Sequence, residues 1–162
     1  MSRATRLAAW LTAPDDSPRS VVRTLGRLGL AGVLLFAGIG HLSSLREEFQ
    51  AQVPTWVPLD ADTVVVGSGV VELVLGGALA VVPRRFRPLV GWVVAAFFVA
   101  VFPGNVSQLA TGTDAFGLNS DGARAVRLVF QPVLVVWALW STGAWRAGGG
   151  PGRRTGDGGS AA

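Results

Sequence analysis

The sequence predicts an all-α integral membrane protein, a four-helix bundle with both termini on the cytoplasmic side. Half of the 162 residues are hydrophobic and only 15% are charged, where a soluble domain carries about a quarter charged residues. The apolar residues gather into four runs, each close to the roughly 20 residues that cross a bilayer as a helix. The arginines stand beside the ends of those runs. If the N-terminus is inside, Arg3, Arg6, Arg19, Arg23, Arg27, Arg84, Arg85, Arg87, Arg146, Arg153 and Arg154 are cytoplasmic, and only Arg46, Arg124 and Arg127 lie outside. This asymmetry sets the orientation, and an even number of spans returns the C-terminus to the same side.

Composition removes several function classes. Cysteine is absent, which excludes disulfides, thiol redox chemistry, iron–sulfur clusters and cysteine zinc sites. The single histidine excludes a multi-histidine metal site or a bis-histidine haem within one chain, so no metal is expected. The net charge of +4 does not indicate nucleic acid, because the arginines form topology signals and no patch on one element. Arginine without any lysine, with abundant alanine and glycine, points to a G+C-rich bacterial genome. The expected location is the bacterial cell (inner) membrane, multi-pass.

Residues 1–22 are expected to be a cytoplasmic tail. Arg3 and Arg6 precede LAAWLTA, but that run is short and ends in Pro14-Asp15-Asp16, so it does not make a secretory signal. Leu7, Trp10 and Leu11 either lie on the membrane surface or belong to a disordered tail. The transmembrane domain is expected over residues 23–143, with spans at about 25–42, 62–82, 89–108 and 124–142. The first span is anchored by Arg23 and by Arg27, which can snorkel. His41 lies near its far end and shares a helix face with Ala37 and Gly38, the kind of face on which membrane helices approach closely. In the connection that follows, Leu45, Phe49 and Val53 recur at helical spacing, and Ser44-x-x-Glu47 fits a capping box. A short surface helix ending at Pro54 is expected, with Trp56 at the interface.

The second span, DTVVVGSGVVELVLGGALAVV, has Glu72 near its middle. A lone carboxyl there is costly and marks a functional-site hypothesis. Gly69 and Gly76 lie one turn to either side, so Glu72 points from a glycine face toward other helices, leaving Val64, Val71 and Val74 for lipid. Counted from the outer end of its own span, Glu72 is roughly 15 Å deep. The third span is uncharged, and Pro103-Gly104-Asn105 is expected to interrupt its outer end by freeing the Val99 carbonyl. Asn105 and Gln108 add polar groups. In the loop beyond, Asp114 and Asp121 do not match a calcium loop. In the fourth span Arg124, Arg127 and Gln131 share one face, with Arg124 at the rim, and Pro132 kinks the helix. The tryptophans read as interface anchors. Residues 147–162, rich in glycine, are expected to be a disordered tail.

All four spans thus place polar groups in the outer half of the bundle, and the inner half offers almost none. The candidate ligand-binding set is Glu72, Arg127, Gln131, His41 and Asn105, around an outward-facing polar pocket with no passage through the bundle. Glu72 and Arg127 are the expected ion pair, with Gln131 as a bridge. Three readings of that pair stay open: a tie between helices, a ligand or quinone site, and proton transfer. No catalytic residue is assigned.

The order and spacing of these pieces resemble the DoxX-like family of small four-helix bacterial membrane proteins. The matching segments are Leu25-Gly26 through Ala37-Gly38-Ile39-Gly40-His41, Val53-Pro54-Thr55-Trp56-Val57-Pro58, Gly69-Val70-Val71-Glu72-Leu73-Val74-Leu75-Gly76-Gly77, Phe102-Pro103-Gly104-Asn105 and Arg127-Leu128-Val129-Phe130-Gln131. They cover residues 23–143. The chain departs from the family pattern at Gly104, where alanine is expected, and at Val129, where proline is expected. The resemblance implies a four-helix membrane bundle, with some relatives linked to thiosulfate:quinone oxidoreductases or membrane redox complexes. The first expectation is an accessory or ligand-binding membrane protein in contact with the lipid bilayer. The alternatives are a quinone-interacting subunit of an oxidoreductase complex, and a small proton-coupled carrier. The chain has no evident cofactor of its own. Quinone, a redox partner subunit and a homo-oligomer are the further associations to test.

Overall fold

Side-chain capping sets where three of the four long helices begin. Ser20 accepts from the Arg23 amide at 3.3 Å, Asp60 from Thr63 at 3.1 Å and Ser120 from Ala123 at 3.3 Å, each satisfying an otherwise orphaned N–H of a first turn. The computed structural model describes Thr5, residues 20–117 and residues 120–147. The tail expectations for residues 1–4, 6–19 and 148–162, including Leu7, Trp10 and Leu11, fall outside the described residues. Helices α1 (Val21–His41), α2 (Arg46–Gln50), α3 (Ala61–Val81), α4 (Arg87–Thr111), α5 (Asp121–Thr142) and α6 (Ala144–Ala147) follow in order, with a 3-10 turn at Arg84–Phe86 before α4. Among the described residues there is no strand. Gly112 and Gly143 end α4 and α5 in the left-handed conformation, at φ 65° and 80°, which glycine adopts without a Cβ penalty.

Helices α1, α3, α5 and the stretch from Arg84 through α4 are long and apolar enough to cross a membrane. They form the expected all-α four-helix bundle. The outward faces are apolar: Phe36 is 72% exposed, Val74 64%, Val99 60% and Val129 64%. Such a surface suits lipid and not water. Helix α1 packs mainly on α3, and α4 on α5; α1 against α5 joins the two pairs, while α3 and α4 touch least. Leu30, Leu34, Leu79, Val94 and Ala138 are essentially fully buried where the helices meet.

Small residues allow the closest approaches. A Cβ on Gly69 would stand 2.6 Å from His41 Cβ, and one on Gly38 would stand 2.8 Å from the Gly69 carbonyl. A Cβ on Gly76 would meet Leu35 at 2.9 Å. The glycine face expected around Glu72 is therefore the α1–α3 contact. Val71 and Val74 face outward as expected. Val64 does not; it is half-buried and lines a cavity.

Several local expectations meet the structure differently. The Ser44–Glu47 capping box does not form: Leu45 precedes α2, without a side-chain cap. Pro103 does not interrupt its helix; α4 runs through it to Thr111. Gln131 Nε2 donates to the Phe98 carbonyl at 2.7 Å, one residue before the Val99 carbonyl that Pro103 leaves without its helical donor. Trp137 packs over Gly26 and Gly29 and donates to the Gly26 carbonyl at 2.8 Å, a helix–helix contact the sequence did not indicate. The termini end of the bundle is not devoid of polar groups: Arg27 is buried beside Ser141 and Thr142 in the same half. Instead of snorkelling, Arg27 donates to the carbonyls of Leu79 and, at 3.0 Å, Ala80. These belong to the last turn of α3, where carbonyls lack helical donors and a cation is favoured.

Candidate functional site

The five residues singled out in the sequence meet in one place. His41, Glu72, Asn105, Arg127 and Gln131 all line a cavity of about 390 Å³ at the end of the bundle where residues 42–60 and 112–120 connect the helices. That volume lies within the roughly 300–1,000 Å³ of small-molecule sites. Phe98, Leu34 and Leu134 form its deepest wall, and the buried Leu30, Leu79 and Val94 close the bundle below.

Register between helices brings Glu72 to His41. Gly69 packs directly on Gly38 and His41, although Gly69 is eight residues into α3 and His41 is the last residue of α1. Helix α3 therefore extends about 12 Å beyond α1 at 1.5 Å per residue, and Glu72 lies only about one turn below the end of α1. His41 Nδ1 is 3.0 Å from the Val65 carbonyl and 3.0 Å from Ser68 Oγ. A carbonyl only accepts, so Nδ1 is the protonated nitrogen, and Nε2 faces the carboxyl. Nε2 stands 3.6 Å from Glu72 Oε2, outside hydrogen-bond range. Glu72 Oε2 is buried without a hydrogen-bond partner, in a residue 9% exposed. His41 also packs on Phe49, with ring centroids 3.5 Å apart and the rings tilted by 46°.

The expected Glu72–Arg127 ion pair does not form, and Gln131 does not bridge the two. Arg127 Nε donates to Asn105 Oδ1 at 3.1 Å and Nη2 to Gln52 Oε1 at 3.0 Å. Asn105 Nδ2 donates to Gln131 Oε1 at 3.0 Å, and Gln131 continues to the Phe98 carbonyl. This chain ties α4, α5 and the first connection together. The Arg127 guanidinium lies 4.8 Å from the Phe116 ring centre, and it makes no ion pair with a carboxylate among the described residues.

The connections over this end of the bundle are themselves pinned. Phe116, at φ 56°, packs on Phe49 at 4.7 Å between centroids, and its amide donates to Glu48 Oε2 at 2.6 Å. Arg46 meets Asp62 through two nitrogens of one guanidinium edge, Nη2 to Oδ2 and Nε to Oδ1 at 2.5 Å, and Gln50 adds a bond to the same carboxylate at 2.7 Å. Hydrogen bonding to that carboxylate pushes the Arg46 guanidinium above its ordinary value. Arg124 is not a rim charge. It is 7% exposed and donates to Thr113 O at 3.3 Å, to Asp121 at 2.8 Å and to Asp114. Those two aspartates hold Arg124. Gln108 donates to Thr113 O at 3.3 Å and serves the loop, not the cavity. Among the described residues no group of three His, Cys, Asp or Glu side chains could hold a metal ion.

Sequence reasoning missed Gln52, Phe49, Ser68 and Phe116. Gln52 and Phe49 lie just before the Pro54 motif, where they read as one polar and one apolar position of a surface helix. The backbone of Gln52 comes close to α4 at Gly104, where a Cβ would stand 3.0 Å from its carbonyl. That glycine, in the Pro-Gly-Asn motif, was the available signal for a close approach.

The chain matches, over residues 30–142, the family described as Domain of unknown function (DUF8561). The chain belongs to this family. No match was found among curated proteins or solved structures. The DUF8561 segment takes in the whole cavity, from Val33 to Leu134, and the loop residues that cross it. It excludes the first turns of α1, with Arg23 and the Arg27 clamp on α3.

Proposed function

We propose that this DUF8561 protein is a small multi-pass membrane protein that holds a small molecule in the cavity at its loop end, with Glu72 and His41 as the groups that meet it. One observation carries the reading. Glu72 Oε2 is buried in the cavity wall without a hydrogen-bond partner, a condition costing about 1–3 kcal/mol that a bound donor would relieve. Arg127, Asn105 and Gln131 have partners across helices and serve first as scaffold. The arginine distribution supports cytoplasmic termini and a loop end facing away from the cytoplasm, and the composition supports a bacterial cell membrane. The motif order supports kinship with the DoxX-like proteins.

A second reading has one specific support. With Nδ1 held by Val65, His41 Nε2 and Glu72 can together hold or release a proton beside a bound molecule. That favours the quinone-interacting alternative, in which a partner subunit would supply a redox centre. The carrier alternative has no comparable observation in its favour. Mass spectrometry of small molecules retained by gently purified protein, with and without Glu72→Gln, tests the main reading. A quinone among them would select the second.

A further inference from the structure

We infer that the occupant is a single-chain amphiphile that reaches the cavity from within the bilayer, through the side of the bundle between α3 and α4, with its donor groups on Glu72 and His41 and its acceptor groups on Arg127 and Gln52. This rests on the binding-site reading above and goes beyond it in naming the route and the class.

The route follows from which walls are closed. At the loop end, the row of contacts His41–Phe49–Phe116–Arg127 runs across the bundle. Gln52 bonds Arg127 on α5, while its backbone rests on Gly104 of α4. These groups cross the aqueous end, leaving exposed Trp56 at the cavity margin. The side of the bundle has an opening of its own. Helices α3 and α4 make the fewest contacts of any packed pair of spans. Ala100 of α4 lines the cavity yet is exposed. It is eleven residues from the end of α4 at Thr111, about 16 Å into the span. A cavity wall that is open at this depth opens onto acyl chains.

The class follows from the groups left unmet. Glu72 Oε2 has no donor, and His41 Nε2 beside it is the ring's acceptor, so two acceptors 3.6 Å apart call for a donor-rich group. Across the cavity, Gln52 Nε2 is buried and unbonded, and the Arg127 guanidinium has only neutral partners. Both call for an acceptor. Most of the remaining wall is apolar, including Val57, Val64 and Val101, and its other polar members, Ser68, Asn105 and Gln131, are already hydrogen-bonded. A head with hydroxyls and a carbonyl, followed by one alkyl chain leaving past Ala100, satisfies every wall.

The test uses the full chain in liposomes with a diazirine-tagged long-chain monoacylglycerol, whose head carries two hydroxyls and an ester. Its water-soluble counterpart, glyceryl monobutyrate, is the competitor. Photolabelling maps to the cavity, falls about tenfold in Ala100→Trp, and stays within about twofold in Val99→Trp, which faces lipid outside the cavity; tenfold corresponds to about 1.4 kcal/mol. Glyceryl monobutyrate does not displace the probe from the unmodified protein, a readout that needs no variant. If it does, or if Ala100→Trp labels like the unmodified chain, side entry is overturned while the binding site stands. If the probe does not label the cavity, the amphiphile class is overturned. Retention of any other small molecule, lost in Glu72→Gln, then judges the binding-site reading separately.

Discussion

Replacing Glu72 by methionine should make the protein more stable and less able to hold a ligand. The carboxyl makes no hydrogen bond among the described residues, and its nearest polar neighbour is His41 Nε2 at 3.6 Å. Removing it takes away one loose contact and one buried unsatisfied oxygen. Such an atom costs about 1–3 kcal/mol, and methionine adapts to irregular space of similar volume. For a chain of this size, about 2–4 °C of melting temperature accompanies each kcal/mol. The expected rise is therefore several degrees, measured by thermal unfolding of ligand-free protein in detergent. Gln131→Leu should move the other way. It removes the bonds to Asn105 and to the Phe98 carbonyl, at about 0.6 kcal/mol each in a membrane bundle. It also leaves the Asn105 amide without that acceptor. A clear fall in melting temperature for Glu72→Met would refute the reasoning, because it would mean that the carboxyl holds the bundle together.

Three further outcomes are expected. Gly69→Ala drives a methyl against His41 Cβ, 2.6 Å away, and should cost about 1–3 kcal/mol as overpacking. Gly77→Ala, with nothing within 4 Å, should be neutral or stabilising by up to about 1 kcal/mol; thermal unfolding of both variants checks the α1–α3 interface. Glu48→Ala removes the acceptor of the Phe116 amide and should speed hydrogen exchange there by at least about tenfold, equivalent to about 1.4 kcal/mol. Because the chain has no native cysteine, Ser43→Cys and Arg85→Cys should be labelled by membrane-impermeant maleimide from opposite faces of sealed vesicles. Labelling from the same face would contradict the bundle topology.

The four long helices were legible because twenty-residue apolar runs are strong signals; predicted and observed helix boundaries differ by only a few residues at each end. The glycine face was legible for a related reason: Gly69, Glu72 and Gly76 share a stripe whatever the helix packs against. Rotation and register between helices were not legible. Depth counted along α3 placed Glu72 well below His41, but α3 overshoots α1 by about two turns, and that offset is set by Gly38 on Gly69. The Arg127 partner was misassigned for a different reason. Gln52 reaches it from a connecting segment that folds back over the bundle, and helical periodicity does not report such contacts. Arg27 and Arg124 were read as exposed because arginine near a span end usually is. Both are buried, one on the open carbonyls at the end of α3, the other on two loop aspartates.

The central claim is that the unmet Glu72 carboxyl serves a bound molecule. Its most direct test is quantitative mass spectrometry of small molecules retained by gently purified wild-type and Glu72→Gln protein. The account predicts one species at near-stoichiometric amounts in the wild type, reduced about tenfold in the variant. A wild-type protein that retains nothing, or a variant that retains the same species equally, would contradict it.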